Sequence, residues 1–458
     1  MGMRLTLEVP LARAVGRLSR LAGRGGGTTL PGKLLWTLDR RGVGELAQRL
    51  RDGAIAVSAT NGKTTTSTMI AEILSPSTRF AWNNAGANLA SGVTSALLEA
   101  RDAQLGLFEV DEFALPAVLE TFAPRVVALG NLFRDQLDRY GELEHIAERW
   151  RAAIAALPAS TRLVLNADDP LVASLGEGRE GVCFYGVDDP TAGRASLPHA
   201  ADSKHCVRCG APYSYTVSYV GHLGDYRCPA CGHRRPPLDV AARAIAFSGL
   251  DSVAFSLESA DGARPLHLPL PGLYNVYNAL AAASVARSLE IAQATVTRAL
   301  AGVRPAFGRM ERIELDGRRL LLLLVKNPAG ANEAVRTLEH GGVPATLLVA
   351  LNDAIADGRD VSWIWDVDFE PLLAASERVV VTGGRAAELA LRFLYGGLPE
   401  AKLEVVDDLE CALDRGLEVT APGGELAVLP TYTAMLALRG ILTTRGAVRP
   451  FWERSAGS

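Results

Sequence analysis

No stretch of the 458 residues approaches the length a membrane-spanning helix needs; the apolar run "LLLLLV" at 320–325 has the length of a buried strand. An excess of charge of one sign is lacking too. The formal net charge of −4 leaves no electrostatic footprint for nucleic acid over the molecule as a whole. Cysteine is sparse, with six residues of which four are clustered while Cys183 and Cys411 stand alone. That excludes a disulfide framework in a chain of this size and points to a reducing cytoplasm. The first 27 residues interrupt their apolar stretch with Glu8 and Arg13, which makes a poor signal peptide. Their arginines recur at helical spacing, so a short basic amphipathic helix is expected, with a membrane-surface role the weaker second reading. The Met1-Gly2 start fits a myristoylation pattern too loose to carry weight. Internal repeats are absent, and low complexity is confined to "GRGGGTTLPG" at 23–32. What is there, 48% hydrophobic and 21% charged residues, is ordinary for a soluble globular enzyme with two or three domains.

Short apolar runs bounded by turn residues follow: "AIAVSA" (54–59), "LGLFEV" (105–110), "RVVALGN" (125–131) and "RLVLNA" (162–167). Helix-compatible stretches such as "TTTSTMIAEIL" and "LASGVTSALLEA" lie between some of them. This order predicts a parallel, doubly wound α/β sheet. It breaks near 185–260, where the cysteine cluster sits in a polar, proline-containing insert, and a long helical pattern resumes at 277–303. After "FGRMERIEL" (307–315) a second alternation, with "LLLLLV", "ATLLVAL", "RVVVTGG" and "ELAVLP" as strands, predicts a smaller Rossmann-like domain.

The first strand runs into "TNGKTT" and then a helix. Phosphate binding needs backbone N–H groups at a helix start, a lysine to meet the charge and a hydroxyl for Mg²⁺. Gly62 allows close approach of the backbone, Lys63 can reach the β- and γ-phosphates of ATP, and Thr64 can ligate the metal. Strict Walker spacing fails, because its first glycine would fall at Val57. The bland alternative is a strand–turn–helix with a solvated lysine.

"ATNGKTTT" resembles the phosphate loop of the Mur ligases and folylpolyglutamate synthases, with Ala59 where glycine is usual. The resemblance continues through "NNAGANLASG" (83–92), "FEVDE" (108–112), "GNLFRDQLDRYGE" (130–142), "LNADDP" (165–170), "LPGLYNVYNALAA" (270–282) and "GRMERI" (308–313). It implies a nucleotide site formed by Thr60, Asn61, Gly62, Lys63, Thr64 and Thr65, with Glu109 joining Thr64 in holding Mg²⁺. It further implies that Asn275 and Asn278 contact adenine, and that Arg309, between domains, lies near the nucleotide. Two departures from the family pattern stand out. Gln136 replaces a histidine that helps hold a second metal, and Tyr274 stands where a histidine commonly precedes the asparagine.

Cys206-x₂-Cys209, eighteen intervening residues and Cys228-x₂-Cys231 have the spacing of a zinc ribbon, two knuckles offering four thiolates. Four protein ligands leave no open position, so the Zn²⁺ expected here is structural. Zinc ribbons also occur in nucleic-acid-binding proteins, but basicity here is modest, with Arg208, Arg227, Arg234 and Arg235 the only nearby arginines. A Mur-type core with a zinc ribbon, and no room for a nucleotide-sugar domain ahead of residue 54, is similar to one branch of the family, the MurT-type subunits of lipid II isoglutaminyl synthase.

"LNDAIADGRDVSWIWDVDFE" (351–370) packs five aspartates before Phe369 around a "WIW" segment. On composition alone it is a wet, turn-rich loop with its tryptophans tucked into the domain. It also resembles the signature of the MurT C-terminal domain, as does "VKNPAGANEA" (325–334). That likeness implies that Asp360 completes the Cys-His-acid triad of a partner, a class I glutamine amidotransferase (GatD-like) in a heterodimer. A carboxylate on an imidazole fixes its tautomer and stabilises the imidazolium. Cys183 and Cys411 lie near no histidine motif that would activate them.

The expected organisation is a helical lead-in (1–48), a Mur ligase central ATP-binding domain (49–307) with the ribbon inserted at 203–236, and a MurT-type C-terminal domain (308–458). The expected activity is ATP-dependent amidation of the D-glutamate α-carboxylate in the lipid II stem peptide, with ammonia from the partner. Such a protein is cytoplasmic, with at most peripheral contact at the inner face of the membrane, and binds no nucleic acid. Two alternatives stand: a free-standing amino-acid ligase like folylpolyglutamate synthase, and a zinc-ribbon ATPase that binds nucleic acid.

Overall fold

The computed structural model describes residues 29–448 apart from 84–86, 101, 136–142, 199–200 and 305–308, together with Val9, Ala12 and Ala14. The apolar runs of the first half become β1 (Ala54–Ser58), β2 (Phe80–Trp82), β3 (Leu105–Glu109), β4 (Val126–Leu129), β5 (Arg162–Asn166) and β6 (Val182–Val187). All pair in parallel, in the order β6-β5-β4-β1-β3-β2. Their unbroken hydrophobicity follows from burial on both faces. Ile55 and Val57 of β1 point into a core with Met69, Ile70 and Leu280, while Ala54 and Ala56 point into another with Leu97, Val118 and Ile154. Helices Lys63–Leu74 and Leu273–Ser288 thus cover one face, and Ala90–Glu99, Leu115–Thr121 and Leu143–Ala155 the other.

The lead-in packs on this second face through helices Leu30–Leu38 and Arg40–Ala47. Gly32 makes the approach possible: a Cβ there would lie 1.9 Å from the carbonyl oxygen of Ser91. The insert forms a separate hairpin, β7 (Ser214–Val220) with β8 (Leu223–Arg227).

The expected parallel sheet is corrected at its far edge. Beyond β6 come β9 (Val240–Ser248), β10 (Ser252–Ser259) and β11 (Gly262–Leu268), so the sheet has nine strands and is mixed. β9 is parallel to β6, but β9, β10 and β11 are joined by tight turns as antiparallel neighbours. Their alternating composition suits strands with one wet face, and in a polar region it gave little sign of a sheet. The single helical pattern at 277–303 is also two helices, Leu273–Ser288 and Gln293–Leu300, with Glu290 between them at φ 62°.

The second domain holds β12 (Arg309–Leu315), β13 (Arg318–Leu323), β14 (Thr346–Ala350), β15 (Arg378–Thr382), β16 (Leu403–Val405) and β17 (Glu425–Pro430) in the order β12-β13-β17-β14-β15-β16. Only the β12–β13 hairpin is antiparallel. Helices Pro328–Gly341 and Ala386–Tyr395 cover one face, Leu409–Val419 and Tyr432–Thr444 the other. Loops from the carboxyl ends of the parallel strands of both sheets meet, where open α/β sheets place their ligands. Among the described residues, no helix is long and apolar enough to cross a membrane.

Candidate nucleotide site and cysteine cluster

Gly62 ends the turn after β1 at φ 93° and begins helix Lys63–Leu74. Asn278, on helix Leu273–Ser288, closes over it: a Cβ on Gly62 would meet Asn278 Oδ1 at 2.2 Å. The same Oδ1 accepts from Thr66 Oγ1 at 3.2 Å, while Asn278 Nδ2 donates to Asn275 Oδ1 at 3.1 Å. Both asparagines therefore stand against the loop. Thr60 is committed to the turn itself: its hydroxyl accepts from Phe133 N at 3.0 Å. Thr65 is buried beneath it. The Asn61 backbone is clamped by Asn131, which accepts from Asn61 N at 2.9 Å and donates to Asn61 O at 3.0 Å. Ala59 in place of glycine is accommodated, packed against Gly130.

Lys63 is buried and donates to Ala59 O, to Thr60 O at 3.3 Å and to Glu112 Oε2 at 2.8 Å. Burial pulls its ammonium pKa down, but Glu112, Asp111 and Glu109 outweigh that and the net shift is upward. Burial likewise opposes ionisation of Glu112, yet Lys63 and Lys326 hold it below the usual carboxylate range. Asp111 goes the other way, raised by burial and by the charge of Glu112. One oxygen of Glu109 accepts from Thr64 Oγ1 at 3.1 Å. Asn83 fixes the strand end carrying Glu109, accepting from Glu109 N at 2.9 Å and donating to Glu109 O at 2.7 Å. A hydroxyl and a carboxylate side by side at a helix start fit a hard cation with oxygen ligands.

The second domain reaches this loop directly. Asn327 Nδ2 donates to Asn61 Oδ1 at 3.1 Å and Asn61 Nδ2 donates back to Asn327 Oδ1 at 3.2 Å. Asn327 also caps helix Pro328–Gly341 through Gly330 N at 2.8 Å. Lys326 pairs with Asp135 at 2.5 Å, and Arg134 with Asp366 at 3.2 Å. Glu112, Asn83, Asn131, Lys326 and Asn327 are thus additional residues of the site. All fall inside motifs already quoted, but their roles depend on which strand ends are neighbours. The Arg309 backbone opens β12; its side chain and Gln136 lie outside the described residues.

The four clustered cysteines meet as their spacing predicts. Their Sγ atoms all lie within 4.8 Å of one another, with Cys206–Cys231 and Cys209–Cys228 at 3.5 Å, and none is in a disulfide. A tetrahedral zinc thiolate, with Zn–S bonds of about 2.3 Å, has sulfur separations of about 3.8 Å, so the set fits that ion. Gly210 and Gly232 turn the two knuckles at φ 74° and 77°. Against the cost of burial, the N–H groups of Arg208 and Cys209 bring the Cys206 thiol down to about 6. Tyr213 and Tyr226 fill the small core beneath, and Tyr213 Oη lies 2.6 Å from His233 Nδ1.

Asp360 lies apart from both centres. It is exposed, accepts from Ser362 N at 2.9 Å and is held below the usual range by that serine. Three of the other four aspartates are spoken for: Asp357 is buried on Thr433, Asp353 pairs with Arg385 and Asp366 with Arg134, while Asp368 has no ion pair among the described residues. Trp365, expected to tuck in if the loop were merely wet, is 49% exposed.

A family model described as the Mur ligase middle domain matches residues 57–222, and one described as MurT ligase C-terminal matches 324–435. The lipid II isoglutaminyl synthase (glutamine-hydrolyzing) subunit MurT of Staphylococcus aureus (strain N315) is 31% identical over 437 residues, covering 94% of this chain and 96% of that protein. The subunit of the same name in Streptococcus pneumoniae (strain ATCC BAA-255 / R6) is 32% identical over 454 residues, covering 97% and 99%. In fold, the chain is similar to a pseudomurein peptide ligase type C from Methanothermus fervidus, with a TM-score of 0.69 at 21% identity over 87% of this chain and 80% of that one. Matched nearly end to end at such identity, and in both domains, this chain belongs to the MurT family of Mur-type ligase subunits.

Proposed function

We propose that this chain is the synthetase subunit of a lipid II isoglutaminyl synthase, activating the D-glutamate α-carboxylate of the stem peptide with ATP and passing it to ammonia. The reading rests chiefly on one observation, the convergence of Lys63, Thr64, Glu109 and Glu112 with Lys326 and Asn327 where the two sheets face each other. Lys63, kept charged by Glu112, presents its ammonium to the β- and γ-phosphates. Asn275 and Asn278 border the nucleotide, with Arg309 between the domains. Thr64 and Glu109 would hold Mg²⁺, which when bound offsets charge on the transferred phosphate. A substrate carboxylate oxygen attacks the γ-phosphorus and ADP leaves. Ammonia then attacks the acyl carbon and phosphate departs, giving D-isoglutamine.

Ammonia comes from a partner class I glutamine amidotransferase, whose Cys-His pair Asp360 completes as the third member. Asp360 suits that role as an exposed carboxylate without an ion pair among the described residues. The four cysteines would hold a Zn²⁺ that keeps the insert folded. The domains divide at about residues 48 and 307, and the protein works in the cytoplasm at the membrane's inner face. A pair of variants tests the scheme. Lys63→Ala, with Thr64→Val as a second variant, should abolish amidation from glutamine and from free ammonia. Asp360→Asn should lower glutamine-driven amidation about 10³–10⁴-fold, as loss of a triad acid does, and largely spare the ammonia-driven reaction. Unchanged turnover in Lys63→Ala, or equal loss of both routes in Asp360→Asn, contradicts it.

A further inference from the structure

A cleft of about 350 Å³ opens between the insert hairpin and helix Pro328–Gly341. It starts beside the phosphate loop, at Phe133 and Pro328, and deepens to Glu333 and Arg336. Glu333 is only 7% exposed, yet its carboxylate accepts no hydrogen bond among the described residues. Its nearest cation, Arg336 Nη1, stays 4.0 Å away because both Nη groups of that arginine are spent on the carbonyls of Tyr219 and Ala192. Its oxygens are not sealed in the core but open to the cleft, so a carboxylate this buried, held by one loose ion pair and no hydrogen bond, is placed to take a donor from a molecule in the cleft. Its surroundings are acidic as well. Asp202 and Glu370 are paired with Arg134 and Arg392 and Glu333 loosely with Arg336, which leaves Glu339 and Asp368 facing Arg194 as the wall's charges without an ion pair among the described residues.

We infer that this cleft is a specificity site for a primary ammonium group on an aliphatic stem, carried by the substrate residue next to the reacting glutamyl unit and received by Glu333. The inference rests on the function proposed above. If the α-carboxylate is the one amidated, the peptide continues through the γ-carboxylate, so the next residue leaves the reacting centre on that side. Glu333 is five residues along the helix from Pro328, or about 8 Å at 1.5 Å per residue. An extended chain covers that in two to three residues, and a lysine-length side chain shortens it further. Burial raises the Glu333 carboxyl, with Arg336 and Arg194 opposing, so an ammonium entering the cleft supplies the missing donor and favours the ionised form.

The test uses the full chain with its amidotransferase partner and two probes, γ-D-glutamyl-L-lysine and its γ-D-glutamyl-L-norleucine twin. A charge-assisted hydrogen bond to a buried group predicts that the lysyl probe binds tighter by about tenfold or more. Glu333→Gln should bring the two probes within about twofold while leaving ATP affinity unchanged. If Glu333→Gln does not fold, Asp368→Asn at the mouth should still reduce the preference severalfold. Equal binding of both probes by the unaltered protein overturns the inference. So does cadaverine competing as strongly as the lysyl probe, which would make this a site for free diamines. Amidation of the norleucine probe reads out the proposed function by itself. Its absence alongside an intact lysine preference would leave the cleft assignment standing and sink the reaction.

Discussion

Replacing Lys63 by Met should destabilise the central domain before any nucleotide is added, and should do so more at alkaline than at acid pH. The Lys63–Glu112 pair is 2.8 Å long, with side chains 8% and 4% exposed. At an effective dielectric near 20, unit charges at that distance attract by about 6 kcal/mol. Glu112 cannot swing out to water easily, because its carbonyl accepts from Trp150 Nε1 at 2.7 Å inside the core. Breaking a buried pair from one side typically costs about 3–5 kcal/mol, since a charge is left behind without compensation. In the unaltered protein Glu112 is held below its ordinary range despite burial. Its contribution is thus present above the unfolded pKa of about 4.3 and lost as pH falls through the lower folded value. In Lys63→Met the sign reverses: burial, the largest influence on Glu112, is then opposed chiefly by Lys326 and pushes the carboxyl up, so the folded state is penalised at alkaline pH and relieved as the carboxyl protonates. Urea denaturation at about pH 8 should show the full loss, and at about pH 5.5 a loss smaller by about 1 kcal/mol or more. Lys63→Met/Glu112→Leu should recover at least about half of the deficit, as apolar replacements of buried pairs often do. A single variant costing under about 1 kcal/mol, or a double variant as unstable as the single, would refute this account of the pair.

Gly62→Ala should lower stability by about 1–3 kcal/mol and weaken nucleotide binding, because φ 93° strains any Cβ and Asn278 Oδ1 stands 2.2 Å from it; adding Asn278→Ala should relieve the clash and leave the backbone strain, and a calorimetric melt distinguishes the two. Zinc analysis of the purified protein should find about one equivalent, and Cys206→Ser should lose it together with the near-ultraviolet signal of Tyr213 and Tyr226, since a structural zinc and the fold around it are lost together; an intact insert in metal-free protein contradicts a structural role.

Local features were legible in sequence where the chemistry is local. "TNGKTT" after an apolar run becomes a left-handed glycine at a helix start, and the cysteine spacing brings four thiols together. The second domain was legible too, because its parallel strands are buried on both faces and read as continuous apolar runs. β9, β10 and β11 were hidden because a half-buried antiparallel strand alternates, and in a polar region that alternation looks like loop.

The site's less visible members share a different cause. Asn83, Asn131 and Asn327 hold backbone or one another through side-chain amides, and nothing in an asparagine announces which strand end it will face. Glu112 lies three residues beyond Glu109, past the end of β3, so its ion pair with Lys63 depends on β1 and β3 being neighbours in the sheet. Strand order is a property of the whole chain. The segment after β13 likewise faces the loop after β1, placing Lys326 where its charge lowers the pKa of both Asp111 and Glu112. The loop after β1 is therefore built by one domain but held electrostatically by two, and any motion that parts Asn327 from Asn61 also withdraws a cation from the carboxylates around Lys63. Domain opening and charge balance at the loop are one coupled event, so a nucleotide held there, as proposed, would be released through the interface as well as through the loop.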